Sequence, residues 1–174
     1  MLENELRFSA LEDPDVEQAY SILTSRVYDL KNKGIHQYQE PYPPIEMFRE
    51  RQKEGFNFAL YDGKQLAAIV ALIPDYLPEG WSEFPLPKQN FIWLTSLFSS
   101  LEYQGNHLGK IMLQKTEEYL PAQQISILLL DCYINEEEFL VKYYRRFGFK
   151  EVLRKKVVYP GVNTFSAALM MKSL

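Results

Sequence analysis

Hydrophobic positions follow two rhythms along the chain. Between residues 13 and 34, Val16, Ala19, Tyr20, Leu23, Val27 and Leu30 recur every three or four positions, the spacing of one helix face. Asp13 is placed to cap that helix, and Pro14 suits its first position, where no N–H is needed. Lys31, Lys33 and Gly34 supply the C-terminal signal. A short strand, 6–12, precedes it. After the proline-rich stretch IHQYQEPYPP, the segment 45–54 reads as a second helix that stops at Gly55.

The rhythm then changes to runs rich in β-formers. Residues 56–73 carry two such runs around Asp62–Gly63, a dipeptide that takes the left-handed angles of a tight hairpin. A loop, 74–90, holds four prolines and several aromatics; loops of that length are often functional. Residues 91–99 are a strand, 108–120 a helix with Leu108, Ile111, Met112 and Tyr119 on one face, and 125–130 an apolar run typical of a strand covered on both sides. Residues 136–149 read as a helix with three glutamates at its N-terminal end and two arginines at its C-terminal end, the favourable sense for its dipole. Segments 150–159 and 165–173 look like a closing antiparallel pair. The strand, loop, helix and strand between 91 and 130 have the length of a right-handed βαβ unit. The predicted fold class is therefore α/β, a mixed sheet built around one βαβ unit rather than a doubly wound parallel one.

Length and charge narrow the function. At 174 residues the expectation is one domain, 1–174. A formal charge of −4 lacks the footprint of a nucleic-acid or anionic-membrane binder. The single cysteine, Cys132, excludes an internal disulfide and a multi-cysteine metal site, so no metal is expected. The first residues show neither the basic nor the apolar part of a secretory signal, and no apolar run approaches a membrane span of ~20 residues. The expected location is cytoplasmic.

One short stretch carries chemistry. Gln104-Gly105-Asn106-His107-Leu108-Gly109-Lys110 opens a helix inside the βαβ unit. Helix N-terminal amides have no internal partner, and the dipole favours an anion there. The spacing fits neither a Walker A loop nor a Gly-x-Gly-x-x-Gly fingerprint. From spacing alone, a phosphate cradle and a plain two-glycine turn are equally good readings.

In context the stretch resembles the GNAT family of acetyl-CoA-dependent N-acetyltransferases. That family's signature is Arg/Gln-x-x-Gly-x-Gly/Ala after a central strand, followed by a helix with a Tyr four residues before Gly-Phe. Gln104 matches the first position, His107 stands where the first motif glycine belongs, and Gly109 matches the second. Tyr144 stands four residues before Gly148-Phe149. The proline-rich stretch near residue 40 also looks like one found in some bacterial members with small substrates. The family's usual Asn early in the last helix is Glu137 here, with Asn135 nearby.

The resemblance implies a specific site. The two central strands would splay apart to admit the pantetheine arm of acetyl-CoA. Main-chain groups at Leu97, Phe98 and Ser99 would pair with that arm, and the backbone of Phe98 or Ser99 would lie near the acetyl carbonyl as an oxyanion donor. Amides from Gln104, Gly105, Asn106, His107, Leu108, Gly109 and Lys110 would hold the pyrophosphate. Tyr144 would protonate the leaving thiolate.

An alkyl ammonium, with pKa near ~10, cannot attack until it loses a proton, so a base or a water chain leading to one is required. The strand 91–99 offers no carboxylate. Asp131, at the end of the apolar run, is the candidate base, with Glu102 and His36 as weaker choices. His36, Tyr38, Tyr76 and Trp81, all in loops, are the candidates to line an acceptor pocket. Cys132 reads as a small packed residue. The implied function is acetyl transfer to a small-molecule amine by direct attack, since no covalent nucleophile is visible. The alternative is a non-catalytic acyl-CoA-binding module on the same scaffold. The aromatic C-terminal half is compatible with a homodimer.

Overall fold

The computed structural model describes residues 6–35, 37–38, 40–159 and 164–174. Seven strands form one mixed sheet in the order β1-β2-β3-β4-β5-β7-β6. The strands are β1 (Leu6–Ala10), β2 (Asn57–Asp62), β3 (Gln65–Pro74), β4 (Phe91–Ser99), β5 (Ile127–Tyr133), β6 (Lys150–Val157) and β7 (Phe165–Ser173). Among the described residues only β4 and β5 pair in parallel; every other neighbour is antiparallel. Four α-helices accompany them: α1 (Val16–Asn32), α2 (Ile45–Lys53), α3 (Leu108–Tyr119) and α4 (Phe139–Arg146).

The helices sandwich the sheet. Leu23 and Val27 of α1 and Phe48 of α2 pack with Ile69 and Phe98 on one face. Met112 of α3 and Val141 of α4 pack with Val70, Leu72 and Leu94 on the other. From Ala68 to Leu72 the residues of β3 alternate between faces, as a pleated strand requires.

The face pattern of β4 breaks at Ser96. Ile92 and Leu94 belong to the α3 side, yet Phe98, at the same parity, belongs to the α1 side, and Leu97 joins the α3 side. Thr95 pairs with Ala71 and Phe98 with Ile69, so β4 carries one residue more than β3 over that interval. Ser96 absorbs it with a left-handed φ of 53°. A bulge of this kind flips the facing of everything after it and bends the strand.

That bend coincides with a parting of the sheet. β4 pairs with β5 only from Phe91 to Trp93, opposite Ile127 to Leu129. Beyond Trp93, β4 holds to β3 and β5 holds to β7. The expected splay of the central strands is therefore present.

Several expected boundaries move. The first helix begins with a 3-10 turn at Asp13–Asp15 and is α-helical only from Val16; Asp13 does not cap it but accepts from Gln52 Nε2 at 2.9 Å. The hairpin turn lies one residue later than expected, since Asp62 pairs with Gln65 and leaves Gly63 and Lys64 as its loop. Strand β5 runs to Tyr133, past the end of the apolar run, because β7 pairs with Asp131, Cys132 and Tyr133. Helix α4 is shorter than expected. Glu136, Glu137 and Glu138 stand before it, Glu138 takes a left-handed φ of 52°, and Asn135 Oδ1 accepts the Phe139 amide at 3.0 Å.

Candidate active site

The parting of β4 and β5 opens a cavity of about 500 Å³. Leu94 to Ser99 form one wall and Leu130 to Tyr133 the other, with Tyr144 of α4 and Tyr38 also on its surface. A second, smaller space of about 60 Å³ adjoins it, sharing Gln37, Tyr38, Thr95 and Asp131 and adding Tyr42, Arg51 and Tyr76. Asp131 thus stands where the two spaces meet.

Asp131 is held by two donors to one oxygen. Trp81 Nε1–H donates to Oδ2 at 2.9 Å, and the Tyr159 hydroxyl donates to the same atom at 2.7 Å. Among the described residues no side-chain donor reaches Oδ1. Burial raises the carboxyl above its ordinary value, and the Tyr159 and Trp81 hydrogen bonds offset only part of that. A carboxylate raised in this way is a better base than an exposed aspartate.

Trp81 does not line the acceptor space, contrary to expectation. It is 0 % exposed and packs with Trp93, Leu129 and Ala167. A long proline-rich loop suggested surface aromatics, but a 3-10 turn at Glu79–Trp81 folds the indole back into the sheet. Tyr38 and Tyr76 do line the smaller space, Tyr76 with 40 % of its surface exposed. Burial pushes the Tyr38 phenol well above its ordinary value. His36 lies outside the described residues.

Tyr144 is positioned by the end of its helix. The Gly148 amide donates to Arg145 O and the Phe149 amide to Tyr144 O, with Gly148 at a φ of 84°. That is the paired closure of a Schellman motif, and it needs the left-handed residue that Gly148 supplies. The Tyr144 ring meets Phe149 and Tyr143 edge-on, at 5.6 and 5.4 Å between centroids. Burial raises its phenol far above the ordinary value, so the hydroxyl keeps its proton throughout the neutral range.

The turn before α3 has the left-handed geometry of a cradle. Gly105 has a φ of 88° and His107 a φ of 55° with ψ of 28°. His107 therefore does not take ordinary helical angles; it occupies the conformation that favours glycine. Of the seven amides expected to face a phosphate, three are already committed. Gln104 donates to Leu101 O, Asn106 to Tyr103 O and Lys110 to His107 O. The amides of Gly105, His107, Leu108 and Gly109 have no such partner among the described residues, which leaves a four-amide mouth. Gly109 also admits the Tyr143 hydroxyl, since a Cβ there would lie 2.8 Å from it.

His107→Gly is expected to stabilise the fold by about 0.5–1 kcal/mol, because a left-handed non-glycine residue costs about 1–2 kcal/mol and glycine returns part of that as unfolded-state entropy. Thermal unfolding would show a rise of a few degrees. An unchanged or lower midpoint would mean that the turn relaxes without strain.

On the other wall, Ser99 is engaged by Arg26 of α1, whose Nε donates to Ser99 O at 2.7 Å and whose Nη2 donates to Ser99 Oγ at 2.9 Å. Arg26 thus engages the Ser99 carbonyl and hydroxyl, not its amide. Cys132 is a buried thiol pushed up to about 12, chiefly by burial, and suits packing rather than attack.

Sequence reasoning missed Arg51, Ser96 and Tyr159. Arg51 carried a faint signal: it lies three residues after Phe48, which is buried, and so on the inner flank of α2. Ser96 and Tyr159 carried none, since a bulge and a cross-sheet hydrogen bond arise only on assembly.

The profile of the acetyltransferase (GNAT) family matches residues 19–149, and the chain belongs to that family. It is an acyltransferase. Among curated protein sequences no match is found. Solved structures share the fold at low identity. A GNAT-family acetyltransferase from Listeria monocytogenes is 19 % identical over 97 % of this chain and 95 % of its own, with a TM-score of 0.78. A putative acetyltransferase, yncA, from Salmonella typhimurium with its cofactor acetyl-CoA is 11 % identical over 98 % and 95 %, at 0.67. Arabidopsis thaliana Naa50, in complex with the bisubstrate analogue CoA-Ac-MVNAL, is 15 % identical over 98 % and 99 %, at 0.69.

Proposed function

We propose that residues 1–174 form one catalytic domain that moves an acetyl group from acetyl-CoA to a primary amine of a small molecule or peptide, by direct attack in a ternary complex. The observation that carries this reading is the placement of Asp131 and Tyr144 on one cavity, opened by the parting of β4 and β5. The absence of a carboxylate from β4 is one ground for the non-catalytic alternative; Asp131 on β5 is the candidate base in its place.

The residues present fit acetyl-CoA. The strand opening suits an extended arm, and the free amides at Gly105, His107, Leu108 and Gly109 suit a pyrophosphate. When bound, the cofactor supplies an activated acetyl thioester. Asp131 takes the proton that the acceptor ammonium must lose, directly or through water. The backbone amide of Phe98 or Ser99 donates to the carbonyl oxygen as charge develops there. The Tyr144 hydroxyl gives its proton to the departing sulfur. Binding both reactants in adjoining spaces turns a bimolecular encounter into a local one, which accounts for much of such a rate.

Calorimetry with acetyl-CoA is the first test. Micromolar binding followed by thiol release with amines supports the reading, and no binding at millimolar cofactor sinks it. The same titration on His107→Gly decides the histidine's part: weaker binding marks the imidazole as a phosphate donor, tighter binding as an obstruction.

A further inference from the structure

Two arginines lie along the walls of the site, and they are provided for very differently. Arg26 makes three hydrogen bonds, one of them to a carboxylate. Besides Ser99, it reaches Asp29 Oδ2 at 3.3 Å. It is a brace between α1 and the end of β4.

Arg51 is less well supplied. It lies on α2 and lines the small space next to Asp131. Its guanidinium has five N–H donors. Among the described residues its hydrogen bonds go only to weak partners, Ser96 Oγ at 3.2 Å and Met47 Sδ at 3.6 Å. Among the described residues no carboxylate lies within ion-pair distance of it. The titratable groups that act on it are the phenols of Tyr42 and Tyr76. Burial is the main influence on it and lowers its proton affinity, the mark of a cation short of solvent and of a counter-charge.

A half-buried cation with most donors unused is costly unless something completes it. Asp131 does not: it shares the cavity with Arg51, yet its hydrogen bonds go to Trp81 and Tyr159 and it forms no ion pair with Arg51. The small space therefore presents a cation and a carboxylate, on the same surface and unpaired with each other. A molecule carrying both an ammonium and an anion answers both.

We propose that the acceptor is an amine bearing a carboxylate, and that Arg51 binds that carboxylate while Asp131 receives the amine, an assignment that rests on the acetyl transfer proposed above. A carboxylate suits Arg51 better than a phosphate does. The fork of a guanidinium matches two carboxylate oxygens. The space of about 60 Å³ is only a few times the ~15 Å³ that one water requires, and its one cation is a single arginine. The tyrosine hydroxyls of Tyr42 and Tyr76 can add a donor each. Specificity of this kind is steep, because a carboxamide in place of the carboxylate leaves the buried cation without its counter-charge.

The test is a matched panel. It uses α-amino acids and ω-amino acids of rising chain length, each beside its own carboxamide, with thiol release from acetyl-CoA as the readout. For the best acceptor, kcat/KM is expected to exceed that of its carboxamide by tenfold or more. In Arg51→Met, which keeps the apolar stem and removes the charge, that ratio is expected to fall below about threefold, mainly through KM. Arg51→Lys is expected to recover part of it. Acetyl-CoA binding by calorimetry checks that each variant is folded. A wild-type protein that takes carboxamides as readily as carboxylates overturns the proposal, and so does a preference that survives in Arg51→Met.

If acetyl-CoA binds but no amine is acetylated, the transfer reading fails, and the subsite is judged by binding alone. N-acetylated amino acids are then titrated against their carboxamides into the protein with CoA. A carboxylate preference that vanishes in Arg51→Met sustains the subsite; equal or absent binding removes it.

Discussion

Asp131→Asn is expected to lower turnover by about 10²–10⁴-fold and at the same time to raise the thermal midpoint at neutral pH. The two effects have one cause. Burial holds the Asp131 carboxyl above its ordinary 3.8. The folded protein therefore keeps that proton to higher pH than the unfolded chain does. Between the two values the unfolded chain binds fewer protons, so the contribution of Asp131 to stability falls as pH rises, and the whole penalty is present above the folded value. Asparagine cannot ionise and escapes it. Its single carbonyl oxygen can still accept from both Trp81 and Tyr159, because both now bond the same oxygen. The stability gain should disappear below about pH 3.8, where neither state of the wild type is ionised. Thermal unfolding from pH 3 to 8, beside single-turnover kinetics at saturating acetyl-CoA, measures both. Wild-type turnover in Asp131→Asn would move the base elsewhere, to Glu102 or to water alone. In the wild type, turnover should fall as pH drops through the raised carboxyl value, since only the ionised form accepts a proton.

Tyr144→Phe is the second large effect. It should cost about 10²-fold in turnover and leave acetyl-CoA affinity within about threefold. The phenylalanine ring keeps the edge contacts to Tyr143 and Phe149. The Tyr144 hydroxyl makes no side-chain hydrogen bond among the described residues, so the fold loses nothing when it goes. What goes is a proton donor whose proton burial keeps in place through neutral pH. Acetyl donors with a better leaving group than CoA, such as a nitrothiophenyl thioester, should be affected far less, because a stable thiolate needs no proton. Equal turnover in Tyr144→Phe and wild type would reduce the tyrosine to packing.

Asp131 shows how much of the site could be read in advance and where reading stopped. As a residue it was a visible candidate, since it breaks an apolar run. The surroundings behind its proposed role as base were not visible, because they depend on Trp81, fifty residues before it, and on Tyr159, twenty-eight after it. Trp81 was misplaced for the same reason: composition says that a proline-rich loop is exposed, and only packing says which of its side chains is pulled inside. His107 was noticed as a missing glycine, and its left-handed angles show the position keeping the backbone that glycine serves.

The sequence by itself determined the elements and their kinds, since periodicity, caps and turn residues are local. It determined the βαβ unit and the two-glycine turn at the mouth of α3, and through these the resemblance that the family match bears out. Tertiary structure alone decided that β4 leaves β5 beyond Trp93, and that a left-handed Ser96 sets the bulge against β3 and the change of facing. It alone decided that Arg51, on an outwardly polar helix, would end on the same small space as Asp131 with no carboxylate partner among the described residues. Local patterns record the energies of neighbours in sequence. Charge pairing, burial and the width of a cleft are set by residues that meet only when the chain has closed on itself.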